Sequence, residues 1–153
     1  MQLKTIAPFH VFCFDTVTTF RNLPDYVRVV ARQLYKDAVL HDLEITGPVY
    51  WIYKGADGNP DTSFALTIAL PVTHTAIEIN NSEFKLQTLP AFQCMSCLHN
   101  GEWSELGKTY SKIISEILVK EPAMNGENRE VYINMDFDNP ERNITEVQVG
   151  LVP

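Results

Sequence analysis

Leu3-Lys4-Thr5-Ile6 returns as Leu86-Gln87-Thr88-Leu89, an offset of 83 residues from Leu3 to Leu86. The echo continues in order. Phe20-Arg21-Asn22-Leu23 is answered at the same offset by Trp103-Ser104-Glu105-Leu106, an aromatic residue three places before a leucine in both. Asn59-Pro60 is answered by Asn139-Pro140 at an offset of 80, and Leu70-Pro71-Val72 by Gly150-Leu151-Val152. One match means nothing. Four in sequence, with the offset drifting only slightly, mark an internal duplication. Residues 1–72 and 84–152 read as two copies joined by a linker over 73–83, within a single domain spanning 1–153.

Each copy carries the same local signals. An extended segment opens it, over 8–17 and again over 90–99. A helix follows. In the first copy Asn22 is a cap candidate, Pro24 falls in the first turn and Asp25 faces the positive helix end. Leu23, Val27, Val30, Ala31 and Leu34 recur at helical spacing. In the second copy Glu102 and Glu105 lie at the start, Leu106, Tyr110, Ile113, Ile114 and Ile117 form the stripe, and Lys120 closes it. Two strands finish each copy, over 49–53 and 63–72, then 130–134 and 144–152. Asp57-Gly58-Asn59-Pro60 and Asp138-Asn139-Pro140 are turn chemistry between them. The expected fold is α+β: duplicated β-α-β-β units forming a pseudo-twofold antiparallel sheet, with two helices on one face and a ligand cleft on the other.

Bulk properties bound the function. A chain of 153 residues with 45% hydrophobic content suits one core-bearing domain. The net charge of −7, with no basic stripe, argues against direct nucleic-acid binding and against anionic membranes. No apolar run reaches membrane-spanning length, and residues 1–4 show no signal-peptide pattern, so a cytoplasmic location is expected. Three cysteines make no disulfide framework.

Alternation along strands assigns faces. Val147, Val149 and Leu151 share one face of the last strand and are expected beneath the helices, leaving Glu146 and Gln148 on the open side. In the strand before it, Val131 and Ile133 are assigned to the helices, and Glu130 and Tyr132 to the open side. Subtracting 80 places Leu66 where Glu146 stands and Ile68 where Gln148 stands, with Trp51 and Tyr53 on the equivalent side of the strand before. The open side then has an apolar, aromatic half and an acidic half, suited to a flat hydrophobic molecule, cations included.

These segments resemble the GyrI-like small-molecule-binding domains, which also occur as effector-binding domains of AraC- and MerR-type regulators. The likeness rests on His99-Asn100-Gly101-Glu102-Trp103 at the second helix, on Arg129-Glu130-Val131-Tyr132, on Asn139-Pro140 and on Thr145-Glu146. It covers nearly the whole chain. The resemblance implies a central pocket with Glu146 as key acid and Tyr132, Trp103 and nearby aromatics around the ligand. Some members of the family bind cationic drugs as sensors; others resemble hydrolases that open strained cyclopropane rings in toxins. The chain has no helix-turn-helix segment of its own, so a self-contained transcription factor is not expected, and a separate regulator protein is a candidate partner.

Other signals are weaker. Cys94 and Cys97 resemble a metal or redox pair, but three strand positions apart they project to opposite faces, so no metal and no cofactor is expected. His99 is a general-base candidate whose place before a glycine turn favours a structural role. Three functions remain: a stand-alone binding protein for hydrophobic or cationic ligands, a hydrolase using Glu146, and an interaction domain without a ligand. The first is preferred, and with it the absence of enzymatic activity.

Overall fold

The computed structural model describes residues 1–153. Both copies run through the same elements. The first has β1 (Gln2–Ile6), β2 (Phe9–Thr18), α1 (Val30–Leu40), β3 (Tyr50–Lys54) and β4 (Phe64–Pro71). The second has β5 (Lys85–Leu89), β6 (Phe92–Asn100), α2 (Leu106–Lys120), β7 (Met124–Asn134) and β8 (Ile144–Leu151). The class is α+β and the pairing antiparallel, as the repeat requires.

Each copy opens with a strand that the β-α-β-β reading did not separate. Ala7-Pro8 and Pro90-Ala91 interrupt the two long extended segments, since proline has no N–H to continue a ladder. The consequence is an exchange. β1 pairs with β6, and β5 pairs with β2. The chain accordingly forms two compact units, one of residues 8–90 and one of residues 1–7 with 91–153. Each unit takes its edge strand from the other copy.

In the unit of residues 8–90 the strand order is β3-β4-β2-β5. α1 packs on β2 and β4. The helix is shorter than its stripe suggested. Leu23–Asp25 form a single 3-10 turn without a side-chain cap from Asn22. Arg28 then adopts a left-handed backbone, with φ 66°, before α1 begins at Val30. Phe12 meets His41 at the end of α1 and Phe14 meets Tyr26, which puts both phenylalanines on the helix side. Val11, Cys13, Ile52, Ala69 and Leu89 form a core on the opposite face.

In the unit of residues 1–7 and 91–153 the order is β1-β6-β8-β7. α2 covers β6 and β8. Its Ile113 and Ile117 close on Met95, Val147, Val149 and Leu151, all buried. Burying each such side chain contributes about 1.5–3 kcal/mol. Val147, Val149 and Leu151 therefore lie beneath the helix, as strand alternation indicated.

Two face assignments need correction. Residues directly opposite in an antiparallel pair project to the same side. β7 opposes Glu130 to Val147 and Tyr132 to Thr145, while Val131 opposes Glu146 and Arg129 opposes Gln148. Glu130 and Tyr132 thus lie on the helix side, and Val131 on the side of Glu146. The apolar–polar alternation misled because β7 is buried on both faces: Val131, Arg129 and Glu130 are all buried, while Ile133 is exposed.

The second correction concerns β3 and β4. Trp51 opposes Ile68 and Tyr53 opposes Leu66, and Phe14 and Phe12 oppose Ile68 and Leu70. Trp51, Tyr53, Leu66 and Ile68 are therefore on the helix side of their unit. Leu66 and Ile68 do not stand where Glu146 and Gln148 stand. The second copy inserts a 3-10 turn, Pro140–Arg142, between its Asn-Pro and its last strand. The two strands begin at the same offset of 80, yet β4 turns Leu66 and Ile68 to its helix and β8 turns Val147 and Val149, a one-residue difference that transfers every matched side chain to the other face. An offset of 81, matching Leu66 with Val147, restores the faces.

Candidate functional site

Glu130 sits in mid-β7 and is only 6% exposed. A buried carboxylate needs partners, and it has them. The Tyr110 hydroxyl, from α2, donates to Glu130 Oε1 at 2.8 Å. The Tyr132 hydroxyl donates to the other oxygen. Tyr110 lies four residues after Leu106 on the helix stripe, so the apolar periodicity that anchors α2 also delivers a phenol tip to β7. Sequence reasoning counted Tyr110 as core; its hydroxyl was the signal that it had a polar errand.

Aromatic rings extend the cluster. Trp103 meets Tyr132 edge-to-face at 5.7 Å and 81°, and Phe137 at 5.1 Å and 69°. The indole is pinned because its Nε1 donates to Thr145 Oγ1 at 3.1 Å. His99 fixes the start of the helical segment: Nδ1 lies 2.8 Å from Thr109 Oγ1 and Nε2 lies 2.8 Å from the Glu102 carbonyl. With both ring nitrogens engaged, this buried histidine is a staple between β6 and α2.

Glu146 and Gln148 occupy the other face of the same unit. Lys4 of β1 forms an ion pair with Glu146. Gln148 Nε2 donates to Glu146 Oε2 at 2.8 Å. Beside them Arg129, 1% exposed, donates from Nε to Glu127 Oε1 at 2.8 Å and lies 3.8 Å over the Phe92 ring. Glu146 thus has a cation of its own.

An acidic group held by phenols among edge-on aromatic rings, in a duplicated α+β chain, narrows the kinship. The family model of the GyrI-like small molecule binding domain matches residues 1–152. The chain belongs to the GyrI-like family. No curated protein matches it by sequence. Several solved structures share the GyrI-like fold at low identity. The EcmrR C-terminal domain is 18% identical with a TM-score of 0.74, over 99% of this chain and 96% of that one. SAV2435 bound to tetraphenylphosphonium is 15% identical with a TM-score of 0.66, over 99% and 93%. A hydrolase encoded by lin2189 from Listeria innocua is 12% identical with a TM-score of 0.70, over 99% and 91%. The GyrI-like domain spans 56% of the EcmrR chain in its DNA complex.

The remaining predicted residues of this GyrI-like domain lie in the unit of residues 8–90. Tyr53 packs with Phe64 at 5.6 Å and Phe20 at 6.1 Å. Trp51 and Leu66 are buried on the same side. Cys13 and Cys94 are buried thiols. Burial, with Asp15 adding to it, pushes Cys13 up to about 12. Burial pushes Cys94 up to about 11. Cys94 opposes Gly150 and Cys97 opposes Val147, on opposite faces of β6. A surface cavity of about 220 Å³ is lined by residues of the unit 8–90 alone, among them His10, His74, Gln87 and Thr88. No helix is long and apolar enough to cross a membrane.

Proposed function

We propose that this GyrI-like domain binds a small hydrophobic cation and that Glu130, rather than Glu146, is the acid that recognises it. The observation that carries this is the carboxylate of Glu130, buried and gripped by Tyr110 and Tyr132. It supplies negative charge where Trp103 and Phe137 supply aromatic surface, and both attract an organic cation. Glu146 is the poorer candidate because Lys4 already neutralises it. The tetraphenylphosphonium seen with SAV2435 is a ligand of this chemistry.

The test is calorimetric titration with tetraphenylphosphonium and with neutral triphenylphosphine oxide. Glu130→Gln is expected to weaken the cation about ten- to a hundredfold, or about 1–3 kcal/mol, and the neutral compound less. Glu146→Gln is expected to leave both nearly unchanged. If Glu146→Gln abolishes cation binding and Glu130→Gln does not, the acids are assigned the wrong way round. Recovery of the ligand with its mass unchanged after incubation supports binding; a hydrolysed product would overturn it.

A further inference from the structure

Nothing in their order pairs His10 with His74, yet the fold stacks them with ring centroids 4.5 Å apart at 43°. Backbone pairing brings them together. The Val72 amide donates to the His10 carbonyl at 3.0 Å, so the chain leaving β4 runs beside the start of β2. The two rings border the cavity of about 220 Å³, together with Thr75, Gln87 and Thr88. His10 is half-buried and His74 exposed.

We infer that His10 and His74 form a two-histidine site for one divalent transition-metal ion of tetragonal preference, copper or nickel. The ring spacing leaves room for one ion between the two imidazoles. With a metal–nitrogen bond of about 2.0–2.1 Å, each centroid sits roughly 3.2 Å from the ion, so ligands at a right angle hold their rings about 4.5 Å apart and tetrahedral ligands about 5.2 Å. The observed separation accommodates the right angle, the cis arrangement of square-planar and octahedral ions, and imidazole with neutral oxygen is the donor set that suits copper or nickel.

The surroundings agree. His10 Nδ1 lies 3.0 Å from Thr88 Oγ1. With Nδ1–H donating to that hydroxyl, Nε2 keeps the lone pair that a metal needs, the orienting contact found behind many metal-bound histidines. Threonine hydroxyls beside the cavity, and solvent, supply oxygen for remaining positions. The Gln87 amide, opposite Val11, turns instead to the Cys13 thiol on the other face. The other two histidines are committed elsewhere: His99 by both nitrogens, and His41 by Nδ1 to the Asp37 carbonyl at 2.8 Å. No group of three or more histidine, cysteine, aspartate or glutamate side chains forms a metal cluster, so this site rests on two imidazoles with solvent or neutral oxygen completing the shell.

The experiment is titration of the full chain with cupric chloride, followed by electron paramagnetic resonance and by thermal melting. One equivalent is expected to bind with nitrogen splitting from two imidazoles and to raise the melting temperature. His74→Gln and His10→Gln should each lose one nitrogen from the spectrum and weaken binding at least about tenfold. His41→Gln should match the parent. Zinc chloride should bind more weakly than cupric chloride. His74→Gln is expected to melt like the parent without metal, because that side chain is exposed. Parent-like spectra and affinity in both His10→Gln and His74→Gln, or no saturable copper binding by the parent, would overturn the site.

Discussion

Gly150 has no room for a side chain. A Cβ there would meet the backbone carbonyl of Glu127 at 2.5 Å and collide with the Asn125 side chain. Backbone cannot swing aside as a side chain can, so Gly150→Ala is expected to cost about 1–3 kcal/mol, read from urea melts; a neutral result would mean that the Asn125–Glu127 bulge is free to move. The thiols differ at the same scale. Cys13 and Cys94 are buried and pushed to about 12 and about 11, whereas Cys97 is partly exposed. Native protein is therefore expected to give one fast thiol with Ellman's reagent near neutral pH, and three after denaturation. Cys97→Ser should remove the fast phase, and its survival would show that β6 opens. Residue identity revealed much of the candidate site. Glu130, Tyr132 and Trp103 were all singled out from sequence. Tyr110 and Phe137 were not, because aromatic residues on a stripe or in a turn look like core or filler until a partner is seen.

Elements are held by ladders, and ladders decide which of those residues share a face. Val147 opposes Glu130 and packs under Ile113 and Ile117. Val147→Asp forces an unpaired charge into that core and is expected to cost more than about 3 kcal/mol, while Glu146→Gln, on the other face, loses the Lys4 ion pair and is expected to cost less than that. A parent-like melt for Val147→Asp would place β8 in the opposite register. The turn before β8 contributes a pH dependence. The Asn139 amide hydrogen bond, against some desolvation and aided by the Asp138 amide, holds the Asp136 carboxyl below its usual value of 3.8. A carboxylate lowered on folding stabilises above its unfolded pKa, and that contribution fades as pH falls through the folded one. The stability gap between parent and Asp136→Asn should therefore be present at neutral pH and shrink below about pH 4; a constant gap would show that the turn does not depend on the charge. Elements and β8's faces were legible from periodicity. The faces of β3, β4 and β7 were not. A one-residue difference in facing between β4 and β8 reversed the copy-to-copy alignment, and burial on both sides of β7 erased the alternation that assigns a face.

At the scale of the whole molecule the repeat and the compact units are displaced by one strand. Duplication is visible in sequence because matched residues stay in order. The exchange is not, because the segments that swap, β1 and β5, are the best-matched pair of all: near-identical strands are equally plausible beside either partner, and only the proline breaks after Ile6 and after Leu89 hint that each strand is separable. The two divisions of the chain make different predictions for fragments. A fragment of residues 1–72 is the first copy intact, but it carries β1 without β6 and lacks β5. A fragment of residues 8–90 contains β2, β3, β4, β5 and α1, every strand that pairs in that unit. It also keeps Leu89, part of the core with Val11 and Cys13, and Phe84, which packs edge-on to Phe12 at 5.7 Å and Phe14 at 6.2 Å. Losing two buried side chains of this size removes about 3–6 kcal/mol of burial, comparable to the total stability of a small domain. It also bares the ladder edge of β2. Residues 8–90 are therefore expected to show more protected amides and a sharper urea transition than residues 1–72, with protection in β2 reporting directly on the β2–β5 ladder. Equal protection of β2 in the two fragments would mean that β5 adds nothing to the unit, and that the sequential copy rather than the exchanged one is what folds.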